Sequence, residues 1–135
     1  MTLKMRKKYK IQIFNDVRGD LCPISFSSLD FVPKRTFIVY NVPKNCSRGA
    51  HAHRKTQQCL ICLDGEITVQ IDDGETVETH TLRQGEALDQ FPMEWADLLF
   101  NKENSILCVV SSTEYDEKDY IRSYKEFIRE LNKSK

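Results

Sequence analysis

Short apolar runs recur along the chain and are separated by turn signals. They are rich in β-branched and aromatic residues and cover Ile11 to Phe14, Thr36 to Tyr40, Cys59 to Leu63, Ile67 to Ile71, Val77 to Leu82 and Ile106 to Ser111. The run from Ile67 to Ile71 alternates with polar residues and lies between the turn pairs Asp64-Gly65 and Asp73-Gly74, which is typical of an antiparallel meander. Regular short strands of this kind predict an all-β sandwich or barrel.

The pattern changes at the C-terminal end of the sequence. Apolar residues recur there at spacings of three and four among charged residues, at Tyr120, Tyr124, Phe127, Ile128 and Leu131. This periodicity predicts a short amphipathic helix. We expect its apolar face to dock on the β-structure or on a partner subunit.

Length and charge narrow the class of protein. A chain of 135 residues corresponds to one domain, so we expect residues 1–135 to form a single unit. Twenty Lys and Arg against twenty Asp and Glu give no net charge, so no basic field points to nucleic acid or an anionic membrane. No apolar run approaches the ~18–20 residues of a transmembrane helix, and no signal-peptide pattern is present, which predicts a cytoplasmic protein.

The five cysteines are an odd number in mostly apolar surroundings, which favours buried reduced thiols over a disulfide framework. Cys59 and Cys62 form a CxxC pair within a predicted strand. An offset of three places the two thiols on opposite faces of a strand, so a redox or zinc site is not expected there.

Two histidines carry the clearest chemical signal, in the segment from Arg48 to His53. On a strand, His51 and His53 point to the same face. Two imidazoles aimed into one cavity allow either metal ligation or proton transfer near neutral pH.

The order of Gly49, His51, His53 and Gly65 resembles the first motif of the cupin superfamily. Metal-binding cupins add a glutamate and a third histidine, whereas this chain has Gln57 and Gln58 near the glutamate position and no histidine from residue 92 to 97. The remaining histidine, His80, lies in a predicted outer strand. We therefore predict no metal and no other cofactor, and interpret the histidines as acid/base groups.

Three ordered motifs resemble the sugar 3,4-ketoisomerase family of RmlC-like cupins: Asp16 to Gly19, Arg48 to His53, and Tyr115 to Arg122. The resemblance covers nearly the whole chain. It implies a cupin jelly-roll β-barrel with a short C-terminal helix. It also implies isomerisation of dTDP-4-keto-6-deoxyglucose to a dTDP-3-keto-6-deoxyhexose for deoxyaminosugar biosynthesis, in a homodimer with strand exchange.

The resemblance also assigns roles to residues. His51 is the expected catalytic base, with His53 beside it as a donor or proton relay. The expected substrate-binding residues are Arg18, Arg48, Arg35, Tyr40 and Trp95. For Arg18 and Arg48, hydrogen bonding that stabilises strand ends is an equal alternative, and for Arg35 the alternative is an exposed, solvated charge. The polar side chains of the last motif, at Asp116, Asp119 and Arg122, are interpreted as a structural clasp at the helix entrance.

Two positions depart from the pattern of the resemblance, and they leave alternatives open. Phe37 stands where many relatives have a tyrosine, and Ala96 follows Trp95 where relatives often have a histidine. The alternatives are a nucleotide-sugar-binding cupin without catalysis, a dTDP-sugar 3,5-epimerase, and a metal-dependent cupin enzyme.

Overall fold

The computed structural model describes residues 5–134, which form short strands followed by one helix. The strands are β1 (Lys8–Lys10), β2 (Phe14–Asp16), β3 (Gly19–Leu21), β4 (Arg35–Val39), β5 (Cys46–His53), β6 (Gln58–Asp64), β7 (Glu66–Asp72), β8 (Val77–Arg83), β9 (Glu86–Gln90), β10 (Trp95–Phe100), β11 (Ile106–Ser111) and β12 (Tyr120–Ile121). Helix α1 covers Tyr124–Lys133, and 3-10 turns lie at Phe26–Ser28 and Glu117–Asp119.

Two five-stranded antiparallel sheets form the body of the fold. One has the order β1-β9-β6-β11-β4 and the other β12-β5-β10-β7-β8, while β2 and β3 form a separate hairpin. The sheets enclose an apolar core with inward-facing side chains from both, including Leu60, Val69, Phe100 and Val109. This is the predicted all-β cupin jelly roll with a C-terminal helix, and the two sheets are not joined by a continuous hydrogen-bond ladder.

Side chains on β6 alternate between two apolar environments. Leu60 and Cys62 face the core between the sheets. Cys59 and Ile61 face the opposite side, where β1 and the segment before β4 cover the sheet. The prediction that the two thiols of the CxxC pair lie on opposite faces is therefore confirmed.

Helix α1 packs on the outer face of the second sheet. Its buried residue Phe127 contacts a small cluster with Ala52 of β5 and Ile121 of β12. The Ser123 side chain accepts a hydrogen bond from the Glu126 amide and so caps the first turn. The helix begins at Tyr124 rather than at the predicted Tyr120, because Tyr120 pairs with His53 in the sheet.

One predicted strand differs from the structure. The run from Ile11 to Phe14 is divided between β1 and β2, and residues 11–13 form an irregular connection. The Ile11 amide donates to the Gly85 carbonyl at 2.6 Å instead of joining a ladder. The apolar pattern correctly indicated that Ile11 packs against the sheet, but it did not predict that the chain leaves the strand conformation after Lys10.

All five cysteines are free thiols, at Cys22, Cys46, Cys59, Cys62 and Cys108. Burial raises the pKa of the Cys59 thiol to about 11 and that of Cys62 to about 12. Both are therefore protonated, weak nucleophiles near neutral pH. Across residues 5–134, no helix has the length and apolar character needed to cross a membrane.

Candidate active site

A cavity of about 150 Å³ lies between the two sheets and is the candidate active site. Its volume corresponds to ~5 water molecules, which is the scale of one sugar ring rather than a whole nucleotide sugar. Apolar side chains from both sheets supply most of the wall, and the polar lining consists of Arg48, His51, Gln58, Gln90 and Arg122.

A β-bulge in β5 brings the first motif to this cavity. His51 pairs with Ala96 and Arg48 pairs with Leu98, so two residues of β5 lie opposite the single residue Asp97. Gly49 occupies the bulge with φ +75°, in the left-handed region that favours glycine. On a regular strand Arg48 and His51 would face opposite sides, whereas the bulge lets both line the cavity.

His51 presents its imidazole to the cavity in the neutral form. The pKa of His51 is lowered to about 4, mainly by burial and to a smaller extent by the nearby His53 and Arg122. At neutral pH the ring therefore has a free lone pair that accepts a proton.

His53 lies behind His51 and is 1% exposed. The two rings pack edge to face with their centroids 5.0 Å apart, and the Tyr120 ring lies 4.4 Å from that of His53. The Nε2 atom of His53 is buried and has no hydrogen-bond partner among the described residues. His53 is not on the cavity wall.

The other nitrogen of His53 is held by Asp119. Nδ1 lies 2.9 Å from Asp119 Oδ2, and the same carboxylate accepts hydrogen bonds from the Thr56 hydroxyl and the Lys55 amide. Burial alone would raise the pKa of Asp119, but the hydrogen bonds from Thr56, His53 and Lys55 outweigh it and lower the pKa. Burial also lowers the pKa of His53, so the pair is a carboxylate and a neutral imidazole.

Two arginines supply positive charge at the cavity. Arg48 extends from the bulge, and Arg122 lies over the Tyr120 ring with its guanidinium carbon 4.4 Å from the centroid. Glu117 accepts from Arg122 at 2.8 and 3.0 Å and orients it. Planar guanidinium groups in fixed positions suit hydroxyl or phosphate oxygens.

Two of the predicted substrate-binding residues lie near the site without lining the cavity. Tyr40 is 61% exposed and contributes to an open cleft of about 440 Å³ that also includes Arg48 and Val39. Arg35 lies between the Phe37 and Tyr115 rings, and its Nε is buried without a partner among the described residues. Phe37 lines the cavity, whereas Tyr40 lines the open cleft.

Trp95 and Arg18 are not brought to the cavity within this chain. Trp95 alternates with the inward-facing Ala96 along β10, so its ring lies on the outer face, 5.8 Å from the Phe127 ring. Within this chain the Trp95 ring packs against α1, and its contact with substrate stays a prediction. Arg18 is exposed on the β2–β3 hairpin and pairs with Asp16.

Sequence reasoning did not assign several residues that the fold brings to the site. Gln58 and Gln90 line the cavity, and Asp119 was interpreted as part of a clasp at the helix entrance. Asp119 lies 66 positions from His53 along the chain, and no spacing rule predicts such a contact. The signal available in the sequence was the Tyr115 to Arg122 motif, which contains Asp119.

The donor set offers no complete metal site. Within residues 5–134, no group of three or more His, Cys, Asp or Glu side chains is arranged to hold a metal ion. The Nδ1 atom of His53 is already engaged with Asp119. The side chains present fit proton transfer better than ligation.

Comparison with known proteins agrees with this geometry. The family model described as FdtA, WxcM-like, C-terminal matches residues 4–132. A TDP-4-oxo-6-deoxy-alpha-D-glucose-3,4-oxoisomerase from Aneurinibacillus thermoaerophilus is 34% identical over 125 residues, covering 89% of this chain and 90% of the relative.

Two solved structures share both fold and sequence with the chain. The sugar 3,4-ketoisomerase QdtA from Thermoanaerobacterium thermosaccharolyticum, in complex with TDP, superposes with a TM-score of 0.86 at 31% identity, over 98% of each chain. WlaRA, a TDP-fucose-3,4-ketoisomerase from Campylobacter jejuni, gives a TM-score of 0.82 at 29% identity, over 95% of this chain and 96% of that one. The chain therefore belongs to the sugar 3,4-ketoisomerase family that the FdtA model describes.

Proposed function

We propose that the protein converts TDP-4-keto-6-deoxyglucose to a TDP-3-keto-6-deoxyhexose, for use in deoxyaminosugar biosynthesis. The observation that carries the proposal is the neutral imidazole of His51 on the wall of a sugar-sized cavity. The substrate assignment is supported by relatives named for that sugar and for TDP.

The reaction follows from the acidity of the C3 hydrogen, which is α to the C4 carbonyl. His51 removes this proton and an enediolate forms, whose negative charge the guanidinium groups of Arg48 and Arg122 stabilise. Transfer of a proton from O3 to O4 and return of a proton to C4 leave the ketone at C3. Atoms and electrons balance in these steps without an electron acceptor or a cofactor.

The nucleotide is proposed to extend from the cavity into the open cleft. Cavity and cleft share Arg48 and Val39, so one ligand can occupy both. The sugar then lies beside His51, the diphosphate meets Arg48, and the base lies near the exposed ring of Tyr40. Arg35 and Arg18 remain proposed substrate ligands, Arg18 through the hairpin of a partner subunit.

The test is an NMR time course of the purified protein with TDP-4-keto-6-deoxyglucose in D₂O. We expect the ketone to move to C3 and deuterium to enter at C4, because the delivered proton exchanges with solvent. A ketone that stays at C4 with deuterium at C5 would instead establish a 3,5-epimerase. Binding of TDP-sugar without exchange or migration would establish a binding protein without catalysis.

A homodimer with strand exchange is proposed from the exposed hairpin and sheet edge. All six residues of β2 and β3 are exposed, including the apolar side chains of Phe14 and Leu21. Strand β4 is an edge strand, and Ile38 on it is 50% exposed. Pairing with a second copy would bury the apolar side chains of the hairpin and satisfy the unpaired backbone groups of the edge strand.

Analytical ultracentrifugation tests this assembly. The wild-type protein should sediment as a dimer, and replacement of Phe14 and Leu21 by Asp should shift it to the monomer. Exposed Val77 on the far edge strand β8 provides the matched control as Val77→Asp. The cytoplasmic location remains a prediction, supported by the free thiols.

A further inference from the structure

Two glutamines on the cavity wall take no part in the proposed reaction steps. Gln58 on β6 lies directly opposite Gln90 on β9 in the antiparallel ladder. Both side chains line the cavity, although they are only 2% and 3% exposed. Because directly opposite side chains of a ladder are neighbours on one face of the sheet, Gln58 and Gln90 together form an amide pair.

The amide nitrogens of this pair already donate to groups within the chain. Gln90 Nε2 donates to the Glu94 backbone carbonyl at 3.2 Å, and Gln58 Nε2 donates to the Ser111 hydroxyl at 3.0 Å. A backbone carbonyl only accepts, so its bond to Gln90 fixes which end of that amide faces away from Glu94. The carbonyl oxygens of the pair therefore remain as acceptors.

Both carbonyl oxygens are open to the cavity. Neither has a hydrogen-bond partner among residues 5–134. The side-chain atoms of these residues that are both fully enclosed and unpaired are Arg35 Nε and His53 Nε2, so the two amide oxygens retain accessible surface. At this depth the cavity supplies that surface. An acceptor in such a position is costly unless a water or a bound ligand donates to it.

The amide of Gln90 is held by a salt bridge outside the cavity. Glu94 pairs with Arg6 through contacts of 2.9 and 2.7 Å, and its carboxylate also accepts from the Phe91 amide at 2.7 Å. The Arg6 guanidinium donates to the Asp89 carbonyl at 2.8 Å. These bonds fix the short connection between β9 and β10, and with it the Glu94 carbonyl that anchors Gln90. The acceptor thus occupies a preorganised position.

The polar groups from the other sheet have complementary chemistry. Arg48 on β5 and Arg122 after β12 also line the cavity, and a guanidinium group only donates. A ligand in the cavity therefore meets donors on one side and amide acceptors on the other. The C4 carbonyl of a 4-ketosugar is itself an acceptor, so it suits the arginines and not the amide pair.

We propose that the amide pair determines substrate specificity by accepting a hydrogen bond from the C2 hydroxyl, so that 2-hydroxylated 4-ketosugars are selected over 2-deoxy ones. The inference rests on the proposed ketoisomerase function. A 4-keto-6-deoxyhexose bound through C1 has hydroxyls at C2 and C3, and the C3 hydroxyl loses its proton as the ketone migrates. An amide carbonyl is too weak a base to take up a proton, so it suits the C2 hydroxyl, which stays intact.

The selection follows from the cost of an unsatisfied acceptor. A 2-deoxy sugar would displace water from the cavity and leave the carbonyls of Gln58 and Gln90 without a donor. A site built to hydrogen-bond a hydroxyl strongly rejects the analogue that lacks it. For a buried neutral acceptor we expect ~10–100-fold weaker binding of the 2-deoxy sugar.

The first test measures binding and does not depend on turnover. TDP-6-deoxyglucose and TDP-2,6-dideoxyglucose lack the ketone and differ only at C2. Isothermal titration calorimetry of the wild-type protein should give a Kd that is ~10–100-fold higher for the 2-deoxy compound. Equal Kd values for the two compounds would overturn the inference without the need for a variant.

Variants then assign the selection to the amide pair. Gln90→Met and Gln58→Met keep the length of the side chain but remove the acceptor, so each should move the Kd ratio toward one. Gln90→Asn is a milder change that withdraws the carbonyl by one methylene and should act in the same direction. Gln70→Met is the matched control, because Gln70 is an exposed glutamine on β7. A wild-type Kd ratio in the folded variants would contradict the inference.

Turnover separates this inference from the proposed function. Gln90→Met should raise KM for TDP-4-keto-6-deoxyglucose by about tenfold with little change in kcat, because the C2 hydroxyl is bound equally in the ground state and the transition state. Ketone migration at equal kcat/KM for this sugar and its 2-deoxy analogue would overturn the inference and leave the function intact. Selective binding of the 2-hydroxy compound without ketone migration would support the amide pair and refute the function.

Discussion

At the scale of single residues, the proposed chemistry centres on His51, a histidine that is neutral because it is buried. Desolvation disfavours the imidazolium, and the nearby Arg122 adds a repulsive charge. We propose that His51, kept neutral in this way, acts as the base at physiological pH without a carboxylate partner.

Replacement of His51 by Asn is the direct test of the base. Asn keeps polarity and approximate shape but accepts no proton at neutral pH, so kcat should fall by at least ~10²–10⁴-fold. TDP binding and the circular dichroism spectrum should be unchanged. His80→Asn is the control, since His80 contacts Glu78 on the outer strand β8, and near-wild-type turnover of His51→Asn would place the base elsewhere.

The pH profile is a second expectation at this scale. The pKa of His51 lies below that of a free histidine, so the neutral base persists as pH falls through 6.5 and is lost only near its folded pKa of about 4. The acid limb of kcat/KM should therefore have its midpoint well below pH 6. Arg122→Gln removes a group that lowers this pKa and should move the midpoint upward. A wild-type midpoint near 6.5 would show that His51 is solvated.

Prediction from sequence succeeded at this scale where strand parity decides the answer. It placed His51 and His53 on one face of the strand, and their rings pack edge to face with centroids 5.0 Å apart, although only His51 lines the cavity. It did not predict that the Trp95 ring packs against α1, because that orientation depends on which face of β10 the helix covers. It also missed the contact of Asp119 with His53, which is made by chain segments far apart in sequence.

At the scale of elements, β5 is a strand with two functions. Its outward residue Ala52 contacts the helix cluster, while its inward residue His51 lines the cavity. The bulge at Gly49 divides β5 into two regular stretches. It brings Arg48 and His51, which would point to opposite faces of a regular strand, to the same face. Sequence could identify the glycine of the motif, but only the register of β5 against β10 shows what it does.

Gly49→Ala tests the bulge. A Cβ at this position would lie 3.2 Å from Leu98 Cδ1, and the left-handed φ costs a non-glycine residue about 1–2 kcal/mol. We expect a lower melting temperature together with a fall in kcat, because Arg48 and His51 lose their common orientation. Ala50→Gly, the neighbouring position, is the control. Stability loss without any change in turnover would show that the bulge has no part in aligning the site.

At the scale of the whole molecule, two sheets enclose a cavity whose polar groups come from both. Gln58 and Gln90 come from one sheet, and Arg48 and His51 from the other. Periodicity predicted this architecture because burial of two alternating faces has few solutions. It did not predict the hairpin of β2 and β3, because every residue of these two strands is exposed and the strands therefore carry no burial pattern.

Chelation tests the metal-free mechanism for the molecule as a whole. Activity should survive exhaustive dialysis against EDTA, because the described side chains form no group of three metal ligands. Metal analysis of the dialysed protein provides the control for complete removal. Loss of activity that a specific divalent ion restores would reinstate the metal-dependent alternative.

The position of Trp95 gives the protein a built-in optical reporter. It is the sole tryptophan of the chain, and it packs against α1 while the next residue, Ala96, lines the cavity opposite His51. Its fluorescence should respond to the undocking of α1 on one side and to cavity occupancy on the other. Ligand titrations and unfolding curves can therefore be recorded on the unlabelled native chain.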